Sequence, residues 1–244
     1  MPEVSDIRLP LNINFSLEKA RKTQIILSKM VIREDRINTP IRYVAGIDLA
    51  YTDKYSIGAA AVLSYEDLKP IEVKLAVTEV KFPYIPTLLS FREMPAAAAA
   101  IKRLETKPDV FLVDGQGLAH PYRLGFASHL GVTLNIPTIG VAKKLLCGEI
   151  LKGDGLWRPI IYEGEVVGGA VYTKREAKPV YVSIGHRVSL ETAIKIVLDC
   201  TKGHRIPEPL RIAHIHAKKA KRDYLSKHNS SFRFSGEGWN GHPS

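Results

Sequence analysis

Three β-like runs, at residues 42–51, 56–65 and 71–82, follow one another across short polar turns at 52–54 and 66–70. This spacing points to an antiparallel meander. From Pro108 the texture changes. Val110-Phe111-Leu112-Val113 is short and continuously apolar, as expected of a strand buried on both faces, and it stops at Asp114-Gly115. A helix near 122–130, a strand around 137–140, strands at 166–173 and 180–184, and helices at 190–200 and 208–225 follow. Ahead of the meander, residues 17–32 carry apolar side chains at helical spacing beneath a charged face. Met94-Pro95 followed by five alanines marks a helix start, running to about residue 104. A meander followed by strand–helix alternation predicts an α/β fold: one mixed sheet flanked by helices. We expect a single domain over 1–225. Residues 226–244, rich in Ser, Gly, Lys and His, read as a flexible tail.

The 244 residues are close to neutral in mean hydropathy (−0.05), so a normal globular core is available. No apolar run approaches the roughly 20 residues of a membrane span, and Met1-Pro2-Glu3-Val4 lacks the pattern of a secretory signal. With only Cys147 and Cys200, a reducing cytoplasm is the expected location. Charge is more telling. Thirty-five Lys and Arg against 25 Asp and Glu leave +10, which suits a polyanionic partner such as nucleic acid. Gln24 and Gln116 are the sole glutamines, a weak thermophile signature.

Against that basic background three carboxylates stand out, each where a strand or loop should end. Asp48 interrupts Val44-Ala45-Gly46-Ile47-Asp48-Leu49-Ala50, a segment that should be buried, so it needs a counter-charge or a metal. Asp114 closes the buried strand at the carboxyl edge of the sheet, where α/β folds keep their sites. Glu93 follows Ser90-Phe91-Arg92 and immediately precedes the expected helix. Taken singly, Asp48 could be salt-bridged in the core, and Asp114 and Glu93 could cap a turn and a helix. Taken together, they are the oxygen donors that Mg²⁺ or Mn²⁺ prefers. The late helix offers His214 and His216, two residues apart and so about 200° apart around its axis. Only one can face the acidic residues. His214 shares a stripe with Leu210, Ala217 and Lys221 and is the better inward candidate, to orient a water, move a proton or bind an ion; a packed or solvated histidine is the plainer alternative.

The ordered motifs resemble one family. They are Val44-Ala45-Gly46-Ile47-Asp48, Pro83-Tyr84-Ile85-Pro86 leading to Ser90-Phe91-Arg92-Glu93, Asp114-Gly115-Gln116-Gly117-Leu118-Ala119-His120-Pro121, and Leu124-Gly125-Phe126-Ala127-Ser128-His129-Leu130-Gly131. Pro137-Thr138-Ile139-Gly140-Val141-Ala142-Lys143-Lys144 and Arg205-Ile206-Pro207-Glu208-Pro209 complete the set. Each alone could be chance; all in this order resemble endonuclease V, the deoxyinosine 3′ endonucleases with a ribonuclease-H-like sheet. The resemblance implies a metal site of Asp48, Glu93 and Asp114 holding Mg²⁺, with Mn²⁺ substituting, His214 nearby, and Lys143 beside the scissile phosphate. It implies a strand-separating wedge, Pro83-Tyr84-Ile85-Pro86, whose prolines stiffen the loop and whose Tyr84 can stack where a base has left. It also implies a pocket for a flipped hypoxanthine built from Leu89, Gly115, His120, Gly125 and Phe126. Cleavage is then expected at the second phosphodiester on the 3′ side of the lesion, by a monomer acting on inosine-containing DNA.

Two departures stand out: Thr87 follows the wedge where glycine is expected, and Gln116 stands where many members carry histidine. Neither touches the expected metal ligands, but both bear on breadth of lesion recognition. Three other readings remain at this level. An endoribonuclease acting on inosine-containing single-stranded RNA would use the same pocket and metal site. A non-catalytic reader would have no reason to bury three carboxylates, and a glycosylase would need no metal and would leave an abasic site. The basic run Lys218-Lys219-Ala220-Lys221-Arg222 could add phosphate contacts or simply be a solvated helix face.

Overall fold

The computed structural model describes residues 16–174 and 177–232. In chain order the elements are α1 (Leu17–Ser28), β1 (Tyr43–Tyr51), β2 (Tyr55–Ser64), β3 (Pro70–Glu79), α2 (Leu89–Ile101), β4 (Val110–Val113), α3 (Phe126–Leu134) and β5 (Thr138–Ala142). They continue with β6 (Glu149–Ile150), β7 (Trp157–Tyr162), β8 (Glu165–Val171), β9 (Val180–His186), α4 (Leu190–Asp199) and α5 (Glu208–Phe232). The strands form one sheet in the order β3-β2-β1-β4-β5-β9-β8-β7-β6. The meander β1–β3 is antiparallel, β1, β4 and β5 run parallel, and β9, β8, β7 and β6 return antiparallel. The mixed sheet therefore has a second antiparallel wing, β9-β8-β7-β6, beyond the meander and parallel strands expected from sequence.

Side-chain alternation assigns each face its helices. Val44, Val110 and Leu112 point into the cluster closed by Ile194 and Val197 of α4 and by Leu210, Ala213 and Ala217 of α5. Ala45, Ile47, Phe111 and Val113 point the other way, against Ala97 and Ala100 of α2 and Ala127 and Leu130 of α3. All four residues of β4 are buried because the strand is covered on both faces and paired on both edges. Fully burying a leucine such as Leu112 stabilises by roughly 1.5–3 kcal/mol.

Of the boundaries that differ from those expected from sequence, four have a clear local reason. The first helix stops at Ser28 rather than 32, because Val31 packs on the core and Ile32 pairs instead with the β9 end, through Arg187 N to Ile32 O at 2.7 Å and Ile32 N to His186 Nδ1 at 3.2 Å. Helix α2 starts at Leu89, ahead of Pro95, so Glu93 lies inside the helix and not before it. Pro95, the seventh residue of α2, has no N–H to give the Phe91 carbonyl one turn before it. Helix α3 starts at Phe126, since Arg123 takes a left-handed φ of 53° and Gly125 is extended. Helix α5 continues through Phe232, so the segment 226–244 assigned to a tail begins as helix; residues 233–244 lie outside the described residues.

Candidate active site

The site begins with register. Ile47 of β1 lies beside Val113 of β4, and the Asp114 N–H donates to the Ile47 carbonyl at 2.9 Å. The next residue on each strand is a carboxylate, Asp48 and Asp114, on backbones about 4.8 Å apart. Asp48 is 6% exposed. Its Oδ1 accepts from Leu49 N at 2.8 Å, and its Oδ2 lies 2.6 Å from His214 Nδ1 on α5. The helix comes this close because residue 46 is glycine: a Cβ there would sit 2.0 Å from the Pro209 carbonyl oxygen, where α5 begins. On the opposite side of Asp114, Lys143, the residue after β5, forms an ion pair with Asp114 Oδ2. Arg205 holds that segment in turn, donating to the carbonyls of Lys143 and Pro179 at 2.8 Å each.

Glu93 reaches the strand ends from α2, and the Tyr51 hydroxyl donates to its Oε1 at 2.9 Å. Burial pushes the Asp48 carboxyl up to about 6, with the Asp114 charge adding to it. Glu93 rises to about 8 through burial, reinforced by Asp114 and Asp48. The three acids thus sit within reach of each other's charge in poorly solvated surroundings. Among the described residues no three His, Cys, Asp or Glu side chains stand already arranged as metal ligands. Each carboxylate is instead turned to an internal partner: His214, Lys143 or Tyr51. The donor set still fits a hard divalent cation. It is all oxygen, it comes from three elements meeting at one sheet edge, and two of its members are held above their ordinary pKa by burial, with the charge of the neighbouring carboxylates adding to it.

Three buried histidines titrate in the opposite sense. His120, His129 and His186 are each held down to about 4, chiefly by burial. Below pH 6.5 the unfolded chain protonates these imidazoles while the folded protein refuses the proton until near pH 4. Stability is therefore lost as pH falls across that window. The raised Asp48 and Glu93 work against this, gaining stability as pH falls. We expect a net drop in Tm between pH 6.5 and 4.5, and His129→Gln to flatten it by an amount on the order of 1–2 kcal/mol. Thermal unfolding across that range is the check, and an unchanged slope in the variant would refute the assignment.

Beside the carboxylates opens a pocket of about 440 Å³. Its lining brings together Leu89, Gly115, His120, Gly125 and Phe126 with Tyr84 and Pro86 of the segment expected to act as a wedge, and with Glu93, Asp114 and Lys143. Pro83, Ile85, Asp48 and His214 lie outside the lining. Gly125 is where two loops close: a Cβ there would lie 2.3 Å from the Gln116 carbonyl, while Gly125 N and Ala127 N donate to Gly117 O and Gln116 O, both at 2.9 Å. Gln116 donates to the Lys144 carbonyl at 2.9 Å, joining that loop to the segment after β5 that carries Lys143. Tyr84 is 66% exposed at the rim. Pro86 and Thr87 occupy the centre of a turn closed by Leu88 N to Ile85 O at 3.0 Å. Thr87 has φ 66°. Proline second and a left-handed third residue are the signature of a type II turn, which is why glycine is the natural expectation at 87. Sequence reasoning missed Tyr51, Ser90, Leu124, Lys144 and Leu146. Tyr51 reads as one more strand residue, with nothing local to mark a partner 42 positions away.

With this geometry in view, comparison with known proteins is decisive. The endonuclease V family model matches residues 25–215. Endonuclease V of Thermofilum pendens is 51% identical over 215 residues, 86% of this chain and 90% of that protein. The chain belongs to the endonuclease V family. It is a nuclease by that membership. Endonuclease V of Nostoc sp. is likewise 51% identical, over 81% of this chain and 92% of that protein. Among solved endonuclease V structures, that of Streptomyces avermitilis superposes with TM-score 0.82 at 38% identity, covering 89% of this chain and 98% of that one. Ciona intestinalis endonuclease V, solved with DNA containing an inosine followed by a ribo-adenosine, gives TM-score 0.77 at 34% identity over 85% of this chain and 98% of that one. The mixed sheet flanked by helices is thus an endonuclease V fold.

Proposed function

We propose that this chain is a DNA repair endonuclease that recognises deoxyinosine and hydrolyses the second phosphodiester bond on its 3′ side, using Mg²⁺ or Mn²⁺. The observation that carries the reading is the shared wall. Glu93, Asp114 and Lys143 border the same 440 Å³ pocket as Leu89, Gly115, His120, Gly125 and Phe126. A pocket of this size takes a purine ring, so a base seated there leaves its own strand running past the carboxylates.

Asp48, Glu93 and Asp114 would hold the cation, which when bound activates a water and neutralises charge on the reacting phosphate. Lys143 lies where it can leave Asp114 for a phosphate oxygen and stabilise charge that develops there. His214, anchored through Nδ1 to Asp48, presents the far side of its ring to orient a water or pass a proton. Exposed Tyr84, stiffened by Pro83 and Pro86, would fill the gap left by an everted base. Hypoxanthine differs from adenine by a C6 carbonyl and a protonated N1, which backbone groups around Gly115 and Gly125 can distinguish. Extrusion costs least at an already weakened pair. The proposal includes work in the cytoplasm as a monomer; Cys147 and Cys200 are unpaired, which suits a reducing compartment.

A second reading has one observation behind it. The Ciona relative was solved with a ribonucleotide directly after the inosine, so cleavage of inosine-containing single-stranded RNA stands as the alternative. Matched deoxyinosine and inosine strands, cut in parallel with Mg²⁺ and again after chelation, decide between them. We expect metal-dependent nicking of the DNA strand one nucleotide beyond the lesion's 3′ neighbouring bond, with hypoxanthine still attached. Turnover on RNA equal to or above that on DNA would reverse the order of the two readings. Cutting that survives chelation would remove the metal assignment.

A further inference from the structure

The turn between wedge and pocket is held from outside both. Gln24 of α1 is fully buried, and its amide is completely used. Nε2 donates to the Thr87 carbonyl at 2.8 Å and to the Leu124 carbonyl at 3.2 Å, while Oε1 accepts from Arg21 Nη1 at 2.8 Å. Arg21 Nη2 also donates to the Thr87 hydroxyl at 2.6 Å, and that hydroxyl donates on to the Pro86 carbonyl at 2.5 Å. The Arg21 guanidinium lies 4.1 Å from the centre of the Tyr122 ring. His120 joins the same point. Its Nδ1 accepts from Tyr122 N at 3.1 Å, and its ring hydrogen-bonds the Thr87 backbone.

This network is closed, and it converges on a strained residue. A β-branched side chain at φ 66° is rare, and such backbone persists only where its surroundings over-determine it. Leu124 and Thr87 both line the pocket, so one buried amide ties the wedge turn to the neighbouring pocket wall. Arg21 and Gln24 also precede the segment matched by the family model, 25–215.

We propose that Arg21 and Gln24 are positioning residues that lock the Thr87 turn, so that the wedge meets a duplex already in its strand-opening geometry. The inference rests on the proposed function, since it presumes a paired substrate that must be opened. A single strand needs no opening. Its cleavage depends on the carboxylates and the pocket, which these two side chains do not enter. The lock therefore matters for duplex substrate and little for single strands, a split that general destabilisation would not produce.

The test uses the full chain with Mg²⁺ and one inosine-bearing strand, presented alone or paired. For Gln24→Ala we expect duplex kcat/KM to fall about tenfold or more, mainly through KM, with the single strand within about twofold of wild type. Arg21→Ala should show the same split at about fivefold, and Arg21→Lys, keeping one donor to Thr87, should recover part of it. Thr87→Gly guards against a misfolded Gln24→Ala protein. It relaxes the backbone while deleting the hydroxyl that Arg21 grips, so the duplex-to-single-strand ratio should again fall. In the substrate-free protein, exchange of the Leu88 amide that closes the turn should speed up about tenfold in Arg21→Ala. Equal losses on both substrates, or unchanged Leu88 exchange, would overturn the lock. A wild-type protein that cuts neither inosine strand would instead defeat the proposed function and take the duplex consequence with it, while the exchange result would still report on the lock itself.

Discussion

Asp48→Ala is expected to lower cleavage of an inosine-bearing strand on the order of 10³-fold, while lesion binding stays the same or tightens. The asymmetry follows from where the carboxylate stands. Asp48 is buried, lies beside Asp114 on the neighbouring strand, and is outside the pocket lining. Removing it takes away one of the three proposed cation donors without touching a residue that would face the base. It also takes a negative charge from beside the proposed phosphate path, which favours a polyanionic ligand. The variant also leaves His214 without its 2.6 Å partner, so the loss should not deepen much when His214→Ala is added. Single-turnover cleavage and anisotropy of a labelled inosine oligonucleotide separate the two quantities. Normal cutting by Asp48→Ala would sink the metal assignment, and lost binding with residual cutting would mean that Asp48 reads substrate.

A second large effect is structural. Gly46→Ala should destabilise the protein by roughly 3 kcal/mol, lowering Tm by about 6–12 °C, and should reduce cleavage in the molecules that remain folded. The added Cβ would lie 2.0 Å from the Pro209 carbonyl oxygen and 2.6 Å from Leu210 N. Backbone cannot rotate aside as a flexible side chain can. The start of α5 would have to lift from β1, and His214 would move away from Asp48 with it. Calorimetry together with cleavage below the new midpoint tests both halves. A variant as stable and as active as wild type would show that α5 is seated by its apolar stripe alone, not by contact with the strand.

The centre of the sheet was readable because its signals are local. Val110–Val113 is apolar without a break, which only a doubly covered strand tolerates, and the carboxylate that ends it marks the sheet edge. Helical phase singled out His214 over His216, and the structure puts His214 against Asp48. Elsewhere the local signal pointed the wrong way or was silent. Pro95 before an alanine run imitates a helix start, yet it sits in the interior of α2. Strand β7 escaped because Trp157-Arg158-Pro159 contains a residue that cannot donate to a ladder; it is accommodated with its carbonyl accepting from Leu151 N at 2.9 Å. Gln24 looked like one more polar residue on a charged helix face. Its position one turn after buried Ala20 was the available clue, but its partners Thr87 and Leu124 are 63 and 100 residues away.

The distance between Asp48 and His214, 166 residues along the chain, also has a temporal side. A ribosome adding about 5–20 residues per second finishes β1 many seconds before α5 emerges. Until then the strand face at Gly46 has no cover and the earliest acid of the site has no imidazole beside it. In a nascent chain the Asp48–His214 contact therefore closes only once α5 has docked on β1.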